Sequence, residues 1–350
     1  MLANYGYRKG LGMAFAIAVA TSVMGGQSFA QDKPGEGKTI RFASSDSLGA
    51  NYIQDRVLIA GLEKLGYDVK LSTMNMSAIL QAISQGDLDM TGDINWPQSE
   101  PAITQISDTV ELINEGTIAG GGINGYMIDK KTAEANGITS ISQLKDPKIA
   151  ALFDTDGDGK ANLVNCDPAW KCGDVVDFQI KEFGLSDTVR SIRAKYEPLI
   201  GEVFARADRG EPILLYTWSP SWIVYRLKPG QDVVWLPIPY DALPEGVTKP
   251  KTHEVKDVVG CAGGQNPCRM AVGPWNWRTL ANKEFVAGNP AVKKFIEQAK
   301  WSLDTWSKWE GDLGAGSKTD ADIKKIAGDW IATNQSEFDT WVKNAAVSGK

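Results

Sequence analysis

The sequence predicts an α/β protein of two lobes, each a mixed, mainly parallel sheet flanked by helices. Three observations carry this. The chain has 350 residues; without a leader of 30 it keeps about 320 (350 − 30), more than a single core usually spans. A β-α-β-α-β rhythm opens that stretch, and such alternation implies parallel strands with helices on their faces. Several of the 12 tryptophans stand on turns just after strands, where parallel sheets bind their ligands.

The elements follow in order. Thr39–Ala43 is a short apolar strand ending in Ser44-Ser45-Asp46, residues that start helices. Tyr52–Leu65 carries Ile53, Val57, Leu58, Leu62 and Leu65 at helical spacing and stops at Gly66. Asp68–Leu71 is a strand, Ser77–Ser84 a short helix ended near Gly86, and Asp89–Ile94 a third strand with Trp96 just beyond. Gly125–Ile128 is a strand after the glycine-rich Ala119–Gly122, and Ile138–Leu144 begins a further unit. Residues 174–183 and 198–207 read as helices around the strand Ile213–Tyr216, again with a tryptophan, Trp218, just past its end. Val233–Leu236 is a strand with Trp235 in its core, and a Pro-rich loop follows. From Asn289 the chain is helical. Trp301, Trp306, Trp309, Trp330 and Trp341 in this tail read as packing residues on amphipathic helices.

Residues 1–30 read as an export signal: Arg8 and Lys9, an uncharged apolar run from Leu11 to Met24, then Ser28-Phe29-Ala30 for cleavage. The run is too short to span a membrane. Removing its two positive charges takes the net charge from −6 to −8. An acidic exported chain is poorly suited to nucleic acid or anionic membranes. The four cysteines form two close pairs, Cys166 with Cys172 and Cys261 with Cys268. Four cysteines allow three pairings. The sequential one is favoured because each pair brackets a turn-rich loop, and export makes bridges plausible. A zinc site is disfavoured by the spacing and by the single histidine, His253, which reads as an exposed loop residue.

Enzyme signatures are absent: no nucleophile elbow, no P-loop, no dinucleotide fingerprint. The run Asp154-Thr155-Asp156-Gly157-Asp158-Gly159-Lys160 has calcium-loop spacing, with Asn162 at the ninth position. Position twelve is Asn165 rather than Glu, so the reading is either a structural Ca2+ or a solvated acidic turn. No other cofactor is expected.

Tryptophans on turns present their faces, and an aromatic cage is how proteins hold methylated ammonium groups. The candidates are Trp96, Trp170 and Trp218, with Trp222, or Trp275 and Trp277 in the turn Gly273-Pro274-Trp275-Asn276-Trp277, as further walls. Sugars also stack on tryptophan, but the loops offer few Asn, Asp or Arg beside each ring. A sugar-binding protein or a secreted hydrolase is therefore the weaker reading.

At these residues the chain resembles the glycine betaine/proline betaine-binding proteins of bacterial ABC importers. The resemblance runs through Glu63-Lys64-Leu65-Gly66-Tyr67, Asn95-Trp96, Gly125–Thr132, Gln143–Ala150, Leu152–Ala161, Tyr216–Pro220, Leu227–Gly230 and Val233–Leu236. It implies a two-lobe periplasmic binding protein of the type II-like clamp. One lobe would hold residues 31–125 and 265–350, the other 126–264, with crossings near 120–127 and 258–275. It implies a box of Trp96, Trp170 and Trp218, a ligand carboxylate held by the backbone N–H groups of Lys171 and Cys172, and a Cys166–Cys172 disulfide. It also implies an inner-membrane permease as partner and a periplasmic, monomeric protein.

Two departures bear on the ligand. Glu100 stands where the family has His, and Lys171 where it tends to have Gly. Glu100 either points to solvent, faces a ligand without a carboxylate, or is offset by Lys171. The Cys261–Cys268 loop and the Trp275/Trp277 turn resemble instead the related trimethylamine N-oxide-binding proteins. The expected ligand is thus trimethylamine N-oxide or a betaine, with choline or carnitine as the alternative.

Overall fold

The computed structural model describes residues 33–46, 51–168, 170–314 and 319–349, without the side chain of Lys171. The signal-peptide reading of residues 1–30 lies outside the described residues.

The first half of the fold is β1 (Thr39–Ser45), α1 (Asn51–Lys64), β2 (Asp68–Met74), α2 (Met76–Gln85), β3 (Met90–Trp96), α3 (Glu100–Thr104) and β4 (Val110–Leu112). β1 pairs in parallel with β2 and β3, as the β-α-β-α-β rhythm requires. The helix ends are local chemistry. Asn75 caps α2 by accepting from the Ala78 N–H, and Gly86 ends it in the left-handed region at φ 77. α1 lays Ile53, Val57, Leu58 and Leu62 on Phe42 and Met90, whereas α2 lays Ile79 and Ile83 on the opposite face, against Ala43 and Leu280.

The second half contains β5 (Gly122–Asp129), α4 (Lys130–Asn136), α5 (Pro147–Ala150), β6 (Ala161–Val164), α6 (Lys171–Glu182), β7 (Val189–Ile192), α7 (Tyr196–Asp208), β8 (Leu214–Ser219), α8 (Trp222–Arg226) and β9 (Val233–Leu236). The segment around Ile141 is a 3-10 turn, Ile141–Lys145, held by a capping box between Ser140 and Gln143. β6 runs parallel to β7 and β8, and β5 antiparallel to β8 and β9. This half has its own cores on its two faces, one around Phe153, Leu163 and Val176, the other around Ile200, Leu215 and Trp235.

β10 (Glu254–Val255) and β11 (Cys268–Arg269) form a small hairpin, and β12 (Val272–Asn282) follows. α9 (Lys283–Gly288), α10 (Pro290–Gln298), α11 (Leu303–Gly314), α12 (Asp320–Thr333) and α13 (Gln335–Ser348) complete the chain. Four of the five tail tryptophans, Trp301, Trp306, Trp309 and Trp341, are buried in the α1-side core. Trp330 packs against that core and stacks on Trp341.

Among the described residues, ten strands make one sheet in the order β2-β1-β3-β12-β5-β8-β6-β7, with β4 on β12 and β9 on β5. The two halves therefore share a strand. Gly273–Trp277, expected as a turn, belongs to β12. Proline cannot donate to a ladder, and Pro274 falls where the β12–β5 register shifts, between Val272 and Trp275. His253, expected exposed, is only 3% exposed, with Nδ1 3.0 Å from the Met270 carbonyl oxygen. It lies at the foot of the β10–β11 hairpin, where the Met270 N–H also donates to its carbonyl, a long-range pairing that local polarity does not reveal.

Candidate functional site

The register of β12 decides where the site lies. Trp96, the last residue of β3, stands across from Asn276. One residue back along β12, Trp275 stands across from Gly122, the first residue of β5. β5 sets Asn124 across from Trp218 of β8. All three pairings are antiparallel, so β3 and β8 run in opposite directions. Their carboxyl ends meet from opposite sides over the shared strand. Ligands of open α/β sheets bind at strand carboxyl ends. Here the two such edges converge.

Trp96 and Trp218 sit inside the strands rather than on turns after them, because β12 and β5 extend the ladders to their positions. A cluster of three rings forms on the second-half side. Tyr196 stacks on Trp218 with centroids 5.3 Å apart and an interplanar angle of 22°. Trp170 lies edge-on to Trp218 at 5.9 Å and tilted against Tyr196 at 5.2 Å. Tyr196 is fixed by donating its hydroxyl to the Tyr216 carbonyl at 3.0 Å, and burial pushes its phenol pKa up, so it stays neutral. Trp170 is the open wall, 38% exposed. Tyr196 did not stand out in the sequence: as the first residue of α7 it carries no local signal, and only the fold stacks it on Trp218.

The loop that presents Trp170 is tightly held. Cys166–Cys172 closes it, with Cα atoms 6.1 Å apart. Arg193 bonds Asp177 at 3.0 Å and Asp174 at 3.2 Å, and its Nη2 donates to the Pro168 carbonyl at 3.2 Å. Asn165 donates to Gly173 O and Ser191 Oγ. Lys171 and Cys172 are the first two residues of α6, whose cap residue Trp170 provides no side-chain acceptor. Helix-end N–H groups of this kind attract anions. The Lys171 side chain lies outside the described residues.

The remaining candidates divide. Trp275 and Trp277 touch edge-on at 5.7 Å, and both pack on the α1-side core that Trp218 also reaches. Gly122 makes room for the Trp275 ring, since a Cβ there would sit 2.2 Å from it. Trp96 lies on the α2 side of the sheet, with the Arg278 guanidinium 5.1 Å from its ring centroid. No ring contact joins it to Trp170 or Trp218 among the described residues. Glu100 is exposed on the first turn of α3. Trp222 packs edge-on against Phe204 at 5.3 Å and beneath Gly314 of α11.

In the acidic loop, carboxylate oxygens of Asp154, Asp156 and Asp158 lie within 4.8 Å of one another. The Asp154 carboxylate accepts backbone N–H bonds from Gly159 at 2.8 Å and Gly157 at 2.7 Å, which hold its pKa down. Arg190 pairs with Asp156 and, at 2.9 Å, with Asp158. Asn162 accepts from the Thr155 N–H at 2.6 Å, and Lys160 donates to the Ser186 carbonyl at 2.9 Å. The donor set suits calcium, but a guanidinium already neutralises two of its three carboxylates. The second disulfide, Cys261–Cys268, ties β11 to the loop before it. No helix among the described residues is long and apolar enough to cross a membrane.

A mixed sheet with converging carboxyl edges and aromatic walls has the architecture of a ligand-binding protein. Residues 38–333 match the family model of the substrate-binding domain of ABC-type glycine betaine transport systems, and the chain belongs to that family. It is 36% identical over 338 residues to a glycine betaine/proline betaine-binding periplasmic protein of Salmonella typhimurium, covering 96% of this chain and 98% of the relative. It is 35% identical to a glycine betaine-binding periplasmic protein of Dickeya dadantii, covering 95% and 98%. Among solved structures, a glycine betaine, L-proline-binding protein from Borrelia burgdorferi shares the fold at TM-score 0.57 and 17% identity, covering 88% of this chain and 100% of that one. An ABC-transporter choline-binding protein shares it at TM-score 0.56 and 16% identity, covering 89% and 96%.

Proposed function

We propose that this protein captures a methylated ammonium osmolyte, trimethylamine N-oxide or glycine betaine/proline betaine, in an aromatic cage and passes it to an inner-membrane ABC permease. The observation that carries the reading is the Trp170–Tyr196–Trp218 cluster at the carboxyl ends of the strands. A methylated ammonium offers few or no hydrogen-bond donors, so ring faces are its natural partners. Closure of a two-lobe clamp, with residues 126–264 as one lobe, would carry Trp96 toward the cluster from the other side; Trp275 and Trp277 lie between them.

The α6 amino terminus supports an anionic group on the ligand, since the N–H groups of Lys171 and Cys172 open the helix beside Trp170. Both a betaine carboxylate and an N-oxide oxygen suit that position. The exposure of Glu100 supports its pointing to solvent, which removes its repulsion as an argument against a carboxylate. Choline, which lacks an anionic oxygen, is the second reading. The periplasmic relatives and the leader-like first 30 residues support a periplasmic protein. Calorimetric titration of the purified protein with trimethylamine N-oxide, glycine betaine, choline, carnitine and a neutral sugar tests the reading. Binding of at least one methylated amine and not of the sugar is expected; no response to any methylated amine overturns it.

A further inference from the structure

Two acids of the first half have no role in the proposed cage. Asp55 of α1 and Asp93 of β3 are each 1% exposed, and neither has an ion-pair partner among the described residues. Their placement rests on an irregularity in β3. On β12, Arg278 pairs with Ile94 and Leu280 with Thr91, so two steps on β12 match three on β3. The extra residue is a bulge, which re-aims the side chains around it. Its effect shows in the cores. Met90 packs on the α1 side and Ile94 on the α2 side, although regular alternation would give both the same face. Gly92 and Asp93 thus both serve the α1 face. A Cβ on Gly92 would lie 2.5 Å from an Asp55 oxygen, and Asn51 of α1 sits beside Asp93.

Each carboxylate is half satisfied. Asp55 Oδ2 accepts from the Ser44 hydroxyl, and Asp93 Oδ2 accepts the Ser45 N–H at 2.6 Å. The Oδ1 atom of each makes no well-formed hydrogen bond, although the Gln54 side chain lies beside Asp55 and the Asn51 side chain beside Asp93 and each favours the ionised acid. Nearby charges offset them only in part: Arg56 draws Asp55 down by its charge but is itself paired elsewhere. Arg56 is drawn to Asp320, Arg41 to Asp89, and Arg278 donates to the Asn114 carbonyl. Tyr52 of α1 feels the charges of both acids and of Asp46, just past β1; it is a neutral phenol whose hydroxyl donates to the Ser45 carbonyl. α2, on the opposite face, carries no charge. Two buried carboxylates without an ion pair of their own cannot both ionise cheaply.

We propose that Asp55 and Asp93 share one proton at neutral pH and form a proton-linked clasp on the carboxyl ends of β1 and β3, the edge that carries Trp96. The proton comes from solvent and resides on one acid or the other, leaving the Ser44 and Ser45 bonds in place. Burial pushes both acids up, Asp55 further raised by the charge of Asp93, and Asp93 reaches about 6. Folded values above the unfolded ones mean that the clasp is fully present at acid pH and is lost as pH rises through the folded values.

The test is thermal unfolding of the ligand-free protein from pH 4.5 to 8 for wild type, Asp93→Asn and Asp55→Asn. The expected result is a wild-type Tm that falls with rising pH by about 3 °C or more beyond the fall of Asp93→Asn, which mimics the protonated acid. Parallel profiles overturn the clasp. So does a wild-type Tm at pH 8 restored by sodium or calcium but not by a bulky cation, because a bound metal would then replace the proton. Should neither variant fold, carboxyl 13C titration of the wild type decides: two carboxyls titrating above the ordinary range are expected, and none overturns the proposal. A second arm, affinity against pH, rests on the proposed ligand class. Tighter binding at pH 6 than at pH 8, flattened in Asp93→Asn, is expected. A pH-independent affinity overturns the link to the Trp96 edge. No binding at either pH, with the Tm profiles as expected, sinks the ligand reading and not the clasp.

Discussion

At the residue scale the proposed cage has three aromatic walls, and each would make a different contribution. Trp170 is the exposed wall, Trp218 the inner one, and Tyr196 the buried plate behind them. Trp170→Ala and Trp218→Ala are expected to weaken a methylated ammonium ligand by about 1–2 kcal/mol, the scale of a desolvated cation–π pair. Competitive fluorescence titration measures this, and an unchanged affinity for Trp170→Ala rejects the cage. Tyr196→Phe keeps the ring and loses the bond to Tyr216, so it should cost about 1 kcal/mol of stability with little change in affinity. Glu100 is exposed, and Glu100→His should leave glycine betaine affinity within experimental error. A clear gain would place that carboxylate against the ligand instead.

Elements explain which parts of the fold were legible in the sequence. α1 and α2 were readable because their apolar positions recur at helical spacing and because Gly66 and Gly86 end them. Trp306, Trp309, Trp330 and Trp341 were readable as packing for the same reason, whereas Trp301, expected on a helix, packs from a bridge to Ile118 between α10 and α11. β12 was not: Gly273, Pro274 and a run of aromatics imitate a turn, and only pairing with β3, β4 and β5 makes them a strand. The candidate tryptophans could be named from the sequence, but the Tyr196 stack depends on an α7–β8 contact with no local signature. Gly122 is a sharp test of β12. Gly122→Ala would drive a methyl against the buried Trp275 ring, and a loss of about 1–3 kcal/mol is expected in chemical denaturation. The acidic loop gives another. Arg190→Ala frees Asp156 and Asp158, so added calcium should raise the Tm of that variant more than that of the wild type.

On the scale of the whole molecule, the arrangement is two half-sheets with separate cores and a strand in common. The sharing has a consequence for how the chain folds during synthesis. β12 spans Val272–Asn282, yet it fills the gap between β3 and β5, which are made far earlier. Until it arrives, both strands present bare edges, the form of β-structure most prone to pair with other chains. Neither half can reach its final sheet while only residues up to about 270 have emerged. This late keystone gives the fold a long-range closing step, and steps of that kind are slow because loop closure precedes the contacts that reward it. A chain arrested before β12 would remain open to a chaperone, or to a translocation channel, for as long as the last strand is missing.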